Sequence, residues 1–121
     1  MNILTKLASL EKKASDFGFK WETSDQIIKQ IQSEISEACI HLNDGDQNKL
    51  QDEIGDLLHA VFSLCIFNEL NPKETLTRSV KKFERRFNAV QQLAIADGLS
   101  TLQGKSFADL MIYWDKAKRL L

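Results

Sequence analysis

The sequence lacks the features that mark several large classes of protein. It has one proline and no alternating polar and apolar pattern, so nothing in it favours β-strands. The net charge is −1 at pH 7, which leaves no overall positive field to attract nucleic acid or membrane surfaces. The longest predominantly apolar run, residues 60–67, is too short to span a bilayer. The first residues also lack the apolar core and cleavage site of a signal peptide.

Two cysteines are too few for a disulfide framework. Cys39 and Cys65 lie far apart in apolar helical stretches, and we expect two buried free thiols in a cytoplasmic protein. Hydrophobic residues make up 43% and charged residues 27% of the chain, values that are typical of a globular protein. We therefore expect residues 1–121 to form a single domain with one core.

Glycine, proline and capping residues predict an all-α fold, a bundle of five helices. The helices are expected at about residues 3–16, 24–42, 47–68, 72–97 and from 107 onward. Gly18 and Gly98 are expected to end the first and fourth helices. The short NDGD turn makes the second and third helices antiparallel neighbours. The expected N-caps of the last four helices are, in order, Ser24 or Asp25, Asp46, Asn71 (followed by Pro72) and Ser106.

Four acidic residues occur as two pairs beside apolar stripes. Glu34 and Glu37 lie on one flank of the second predicted helix, and Glu53 and Asp56 lie on one flank of the third. Antiparallel packing would bring these flanks together and gather four carboxylates at the edge of the core. Like charges repel, and partial burial weakens their screening, so such a cluster needs a cation. Oxygen ligands without cysteine suit Mg²⁺ or Mn²⁺.

Two nearby residues bear on this interpretation. Gly55 stands inside the third predicted helix, where glycine costs about 1 kcal/mol relative to alanine, so we expect close approach of backbone or ligand there. His41, one turn beyond Glu37, is a further candidate metal ligand, although a surface histidine is the more common explanation. For any single pair of acids, a solvated helix face is likewise the more common explanation.

The fourth predicted helix carries a dense basic segment, RSVKKFERRF. Lys82 and Arg86 lie on the flank of its apolar stripe, whereas Lys81 and Arg85 point away. A lysine and an arginine beside metal-binding carboxylates suit a polyphosphate ligand. An ordinary charged helix face is the alternative. Nucleic acid is disfavoured by the near-neutral total charge and by phenylalanines at core spacing.

These motifs resemble a known family. SEISE at residues 33–37 and EIGD at residues 53–56 are similar to the E-E-x-x-E and E-x-x-D motif of the MazG-type nucleotide pyrophosphohydrolases, which are all-α. FGFKW, KKFERRF, ADGL and the late Trp114 also resemble the C-terminal catalytic domain of MazG, from about residue 10 onward. The acidic motif alone is moderately specific, whereas its combination with KFERRF in this order is strong.

The resemblance implies Mg²⁺-dependent hydrolysis of (deoxy)nucleoside triphosphates to monophosphate and pyrophosphate, with Mn²⁺ as a substitute ion. It implies homodimers, in some cases dimers of dimers, whose helices complete a four-helix catalytic core. Neither nucleic acid nor membrane is expected as a partner. The implied catalytic residues, which are also the metal ligands, are Glu34, Glu37, Glu53 and Asp56. The implied phosphate-binding residues are Lys49, Lys82 and Arg86.

Our mechanistic hypothesis is that the carboxylates hold two or more Mg²⁺ ions, one of which activates a water for attack on the α-phosphorus. Glu34 or Glu37 is the expected general base. Trp114 and Trp21 are candidates to stack on the base, with a plain core role as the equal alternative. Three residues depart from the family pattern. Ser33 replaces an acid, and we expect this change to be tolerated because its helical angle places Ser33 further from the core than Glu34 or Glu37. Gln30 replaces a lysine, which can weaken phosphate binding, and Ser63 replaces an asparagine, which can alter sugar and base contacts.

Two other functions fit parts of the sequence. A carboxylate-bridged di-iron bundle would use Asp56 and His59 as an acid-x-x-His motif. That architecture needs such a motif on each of two helices, and the sequence contains one. A catalytically weak or inactive helical dimer, acting as a nucleotide-binding or protein-interaction module, would agree with the departures at Ser33 and Gln30.

Overall fold

A computed structural model describes residues 2–120 of the chain. Within this range the chain forms five α-helices and no strand, which confirms the predicted all-α fold. None of these helices is both long and apolar enough to cross a membrane. The helices are α1 (Ile3–Phe17), α2 (Ser24–Asp44), α3 (Gln47–Phe67), α4 (Pro72–Ala96) and α5 (Phe107–Leu120).

Most helix ends lie where local sequence signals predicted them. The Asp46 side chain accepts a hydrogen bond of 3.1 Å from the Lys49 amide and so caps α3. Asn71 caps α4 in the same way, by accepting a bond of 2.9 Å from the Glu74 amide. Gly18 follows α1 with a φ of 103°, in the left-handed conformation that glycine adopts without strain.

The N-cap of α2 is Thr23, so the prediction of Ser24 or Asp25 was wrong. The Thr23 hydroxyl accepts a bond of 3.3 Å from the Gln26 amide, and the Gln26 side chain accepts a bond of 3.3 Å from the Thr23 amide. This reciprocal capping box satisfies two backbone N–H groups at once, which a cap one residue later would not do with Gln26.

α2 and α3 form a helical hairpin that positions the acidic residues. Gly45 ends α2 with a φ of 75°, and Asp46 caps α3, so two residues reverse the chain. The two helices pack extensively against each other as antiparallel neighbours. Flanking side chains of both helices therefore lie on one edge of the hairpin.

The α1 helix contacts α3 through a partly buried polar contact. Ser63 Oγ donates a hydrogen bond of 2.5 Å to Glu11 Oε1, and His59 Nε2 lies 3.0 Å from the same oxygen. Ser63 is buried, with 4% of its surface exposed. Glu11 therefore links α1 to one face of α3.

The chain divides into two compact units, and the division falls inside α4 between Thr75 and Leu76. The first unit contains α1, α2 and α3. In the second unit, the Tyr113 hydroxyl donates a bond of 2.5 Å to Asp97 Oδ2, so α5 is tied to the end of α4. The Phe83 and Trp114 rings add a contact with centroids 5.9 Å apart. The single domain expected over residues 1–121 stays a prediction.

Large apolar side chains are mostly exposed in the isolated chain. Ile27 is fully buried, and the other buried apolar residues are small: Ala38, Ala60, Ala94 and Ala117. Apolar residues at helical spacing along α2, α3 and α4 are at positions that favour a buried face, yet Leu42 and Phe83 are 64% and 59% exposed. Other residues of these apolar stripes are exposed as well: Ile35, Ile54, Val61, Leu76, Val80 and Phe87.

Both cysteines are free thiols, as predicted. Cys65 is half-buried, but Cys39 is exposed, so the prediction of two buried thiols was wrong for Cys39. Cys39 directly follows the buried Ala38 in α2, and one helical residue turns a side chain by about 100° away from the buried face.

Candidate metal centre

Three of the four predicted metal ligands converge in the helical hairpin. One carboxylate oxygen each of Glu34, Glu53 and Asp56 lies within 4.8 Å of the others, and we call this group the carboxylate triad. Glu53 and Asp56 are one turn apart on α3, and the antiparallel α2 brings Glu34 against them.

The fourth predicted ligand belongs to a second group that shares Glu53. One ligand atom each of Glu37, His41 and Glu53 lies within 4.8 Å of the others, and we call this group the mixed triad. Glu53 is therefore the common member of two adjacent sets of ligand atoms. The hairpin thus collects all four predicted acids, together with one histidine, along a single edge.

The carboxylate of Glu34 has one satisfied and one unsatisfied oxygen. Gln30 Nε2 donates a hydrogen bond of 2.6 Å to Glu34 Oε1. Glu34 Oε2 is buried and receives no hydrogen bond from any residue between 2 and 120. A buried, unpartnered carboxylate oxygen is costly, and a cation relieves that cost. The hard oxygen donors of the triad fit Mg²⁺ or Mn²⁺.

The electrostatics of Glu53 agree with a crowded anionic site. A hydrogen bond between its protonated form and Glu34 raises the pKa of Glu53 above its usual value. Partial burial and the negative charges of Glu34, Glu37 and Asp56 add to this increase. The negative charge crowded around Glu53 is of the kind that a bound cation would relieve.

His41 is oriented by the end of its own helix. Its Nδ1 donates a hydrogen bond of 3.0 Å to Asp44 Oδ2, and its side chain is only 14% exposed. The Asp46 backbone N–H, followed by the bond to His41, holds the pKa of Asp44 below its usual range. With Nδ1 protonated, Nε2 carries the free lone pair.

The predicted phosphate-binding and base-stacking residues lie in both units. The Lys49 amine, on α3, is 4.0 Å from Asp46 Oδ2 and remains largely exposed. In the second unit, the Arg86 guanidinium carbon lies 5.6 Å from the centre of the Trp114 ring, in cation–π geometry. Lys82 is exposed, and Trp21 is half-buried. The structure therefore brings Arg86 and Trp114 together within one unit.

Gly55 has open space beside it, and His59 lies outside the metal-ligand groups. A Cβ added to Gly55 would meet no atom of the described chain within 4 Å, so no backbone approaches it closely, and the alternative reason, close approach of a ligand, stays a prediction. The His59 ring contacts Glu11 at 3.0 Å and belongs to neither triad. The di-iron alternative therefore loses the histidine on which it depended.

The sequence interpretation missed two acidic residues. Asp44 supports His41 from three residues further along α2, a spacing that places both side chains on one face and that could have been noticed. Glu11 accepts the hydrogen bond of Ser63 from a different helix, and no local spacing signals a contact between residues so distant in sequence.

Comparison with known proteins places the chain among its relatives. Residues 22–91, which cover α2, α3 and most of α4, match the MazG nucleotide pyrophosphohydrolase domain. Over 116 residues the chain is 31% identical to the nucleoside triphosphate pyrophosphohydrolase/pyrophosphatase MazG of Thermotoga maritima. The matched stretch covers 95% of the chain and 44% of that protein.

Two further relatives extend this comparison. The nucleoside triphosphate pyrophosphohydrolase of Escherichia coli K12 is 30% identical over 118 residues, which is 96% of the chain and 44% of that protein. The uncharacterized protein YabN of Bacillus subtilis is 33% identical over 72 residues, or 60% of the chain and 14% of that protein. The chain thus spans less than half the length of these relatives. It belongs to the MazG nucleotide pyrophosphohydrolase domain family.

Proposed function

We propose that this chain hydrolyses (deoxy)nucleoside triphosphates to a monophosphate and pyrophosphate, with Mg²⁺ bound at the hairpin. The observation that carries the proposal is the buried, unpartnered Glu34 Oε2 within a cluster of carboxylates. Family membership supports it, since relatives from two bacteria are named nucleoside triphosphate pyrophosphohydrolases. A divalent ion would satisfy the orphan oxygen and offer open positions to phosphate oxygens.

The proposed metal ligands are Glu34, Glu37, Glu53 and Asp56, and Mn²⁺ is proposed as a substitute ion. When bound, Mg²⁺ supplies charge stabilisation for phosphate oxygens and lowers the pKa of a coordinated water. Gln30 holds the Glu34 carboxylate in one orientation through its amide. Glu34 or Glu37 accepts the proton of the attacking water as general base.

Four residues are proposed to bind the nucleotide. Lys49, Lys82 and Arg86 contact the phosphates, where an arginine can make two parallel hydrogen bonds to phosphate oxygens. Trp114 stacks on the base. The contact between Arg86 and the Trp114 ring supports a joint role for these two, because one cation and one flat apolar surface lie side by side.

We further propose that the chain functions as a cytoplasmic homodimer, which can pair again into a dimer of dimers. The exposed apolar residues support this, since large exposed apolar surfaces mark interaction sites. Free thiols are in keeping with a cytoplasmic location. Sedimentation or light scattering should give about twice the 13.8 kDa chain mass, or about four times for the larger assembly. A monomer at micromolar concentration would contradict the dimer.

The activity is tested by product analysis in ¹⁸O-labelled water. Each NTP and dNTP is incubated with protein and Mg²⁺, and the products are resolved by chromatography and mass spectrometry. Monophosphate carrying the label, together with unlabelled pyrophosphate, is expected, since water should attack the α-phosphorus. Diphosphate with inorganic phosphate would indicate another reaction. Glu53→Gln should be folded and nearly inactive, whereas the matched exposed variant Asp52→Asn should retain activity.

The partner of Glu34 favours a second function, in which the chain binds without hydrolysing nucleotides. Gln30 stands where the family resemblance implies a lysine and gives Glu34 a neutral amide as partner, so one cationic group expected near the phosphates is replaced by a neutral one. The chain would then be a nucleotide-binding or protein-interaction module. Calorimetry would detect nucleotide binding, while the labelled-water assay would yield no product with either Mg²⁺ or Mn²⁺.

A further inference from the structure

His41 occupies an unusual position for a surface histidine. Its side chain is 14% exposed, and one of its ring nitrogens lies within 4.8 Å of oxygens of Glu37 and Glu53. Its ion pair within the described range is with Asp44, at 3.0 Å, and not with these two acids. The imidazole therefore lies near the carboxylate of Glu53, which belongs to both triads, but does not form an ion pair with it.

The spacing suits a bridging ion better than a direct contact. Metal–ligand bonds of about 2.1 Å place the ligand atoms of one ion roughly 3–4 Å apart. The mixed triad, with all three ligand atoms within 4.8 Å, needs only a small contraction to reach this spacing. The neighbouring orphan oxygen, Glu34 Oε2, independently indicates that a cation belongs at this edge.

Asp44 gives the histidine the support that metal-binding imidazoles have in proteins. A ligating histidine usually donates its other ring N–H to a carboxylate, which fixes the tautomer and the ring orientation. The bond from His41 Nδ1 to Asp44 Oδ2 has this arrangement and leaves Nε2 free to bind an ion.

We propose that His41, held by Asp44, is a nitrogen ligand to a transition ion such as Mn²⁺ that it shares with Glu37 and Glu53. This inference rests on the proposed function, because it adds a residue to that metal centre. Imidazole binds Mn²⁺ and Co²⁺ more readily than Mg²⁺, which prefers oxygen and keeps its waters. Removal of the imidazole should therefore weaken Mn²⁺ binding while changing Mg²⁺ binding little.

The test is electron spin-echo envelope modulation of untagged protein loaded with Mn²⁺, which detects a directly bound imidazole nitrogen. The chain has two histidines, so His59→Gln is a matched control. Wild type and His59→Gln should both show the ¹⁴N coupling, and His41→Gln should lose it while circular dichroism shows an intact fold. In parallel calorimetry, His41→Gln should weaken Mn²⁺ binding by about tenfold or more. Asp44→Ala should weaken it by roughly tenfold through the lost orientation of His41.

The outcomes separate this inference from the proposed function. Mn²⁺ binding that depends on Glu53 but shows no nitrogen coupling would overturn the role of His41 alone. The same holds if the coupling persists in His41→Gln. Complete absence of Mn²⁺ and Mg²⁺ binding would overturn both proposals. Nitrogen coupling in a protein that turns over no nucleotide would uphold His41 as a ligand and refute the hydrolase.

Discussion

Gln30 Nε2 donates a hydrogen bond of 2.6 Å to Glu34 Oε1, one helical turn further along α2. The bond fixes the Glu34 carboxylate so that its second oxygen, Oε2, is the one left buried and unpartnered. A neutral amide thus orients the acid without cancelling its charge. The carboxylate consequently remains able to attract a cation.

Removal of this amide should loosen the metal centre. In Gln30→Leu the side chain keeps a similar size but cannot donate, so Glu34 loses its fixed orientation. We expect Mg²⁺ affinity, measured by calorimetry, to fall about tenfold. Gln32→Leu, at an exposed position two residues away, is the matched control and should bind Mg²⁺ like wild type. Equal affinities for all three proteins would show that Gln30 has no orienting role.

Glu53 should make the metal-free protein less stable at neutral pH than at mildly acidic pH. Its pKa is raised in the folded state above the ordinary value of 4.5, so the folded protein binds the proton more tightly than the unfolded chain does. The destabilisation caused by ionised Glu53 is fully present above the pKa that Glu53 has in the folded protein. It disappears as the pH falls through that pKa and then below 4.5, where Glu53 is protonated in both the folded and the unfolded state.

The variant Glu53→Gln isolates this contribution. Without metal, it should be more stable than wild type at pH 7 to 8, and the difference should shrink as the pH falls toward about 4.5. Added Mg²⁺ should stabilise wild type but not the variant. Urea unfolding at several pH values measures both effects, with the exposed Asp52→Asn as control. A difference that stays constant with pH would refute the shifted titration of Glu53.

Replacement of Gly55 should stabilise the protein. Gly55 lies inside α3, and a Cβ there would meet open space, so alanine adds helix propensity without a clash. We expect the free energy of unfolding of Gly55→Ala to rise by about 1 kcal/mol. Gly45→Ala is the opposite control, because its φ of 75° should make alanine destabilising by roughly 1 kcal/mol. If the space beside Gly55 admits substrate, the stabilised variant should show a raised KM.

The contact between Ser63 and Glu11 should hold α1 against α3. Ser63→Ala removes a donor to a partly buried carboxylate, and we expect a loss of about 2 kcal/mol in unfolding free energy. Amide hydrogen exchange should accelerate mainly in α1, because this contact joins that helix to α3. Ser9→Ala, at an exposed position of α1, should change neither quantity. An additive double variant with Glu11→Gln would show that the two residues do not interact.

The sequence predicts well what depends on neighbouring residues. Asp46, Asn71 and Gly18 act within a single turn, so their roles could be recognised from spacing alone. The choice of Thr23 over Ser24 depended on which residue could pair with Gln26, a distinction that requires backbone geometry. Helical periodicity also placed the two acidic pairs on flanks that the hairpin does bring together.

The remaining features depend on contacts that periodicity does not contain. An apolar stripe predicts that a helix face will be buried, but it does not identify the element that packs against that face. Leu42 and Phe83 are exposed in the isolated chain. The partner of Ser63 is on another helix, so it could not be predicted from local spacing. The roles of Lys82, Arg86 and Trp114 stay predictions for the same reason.

The two-residue turn at Gly45 and Asp46 has a consequence for biosynthesis. Every candidate ligand from Glu34 to Asp56 lies on the helices that this turn joins. Closing so short a loop costs little chain entropy, and local contacts form early. The proposed metal ligands can therefore come together as soon as residues 24–67 have left the ribosome, and an ion bound at that stage would stabilise the nascent hairpin before α4 and α5 are synthesised.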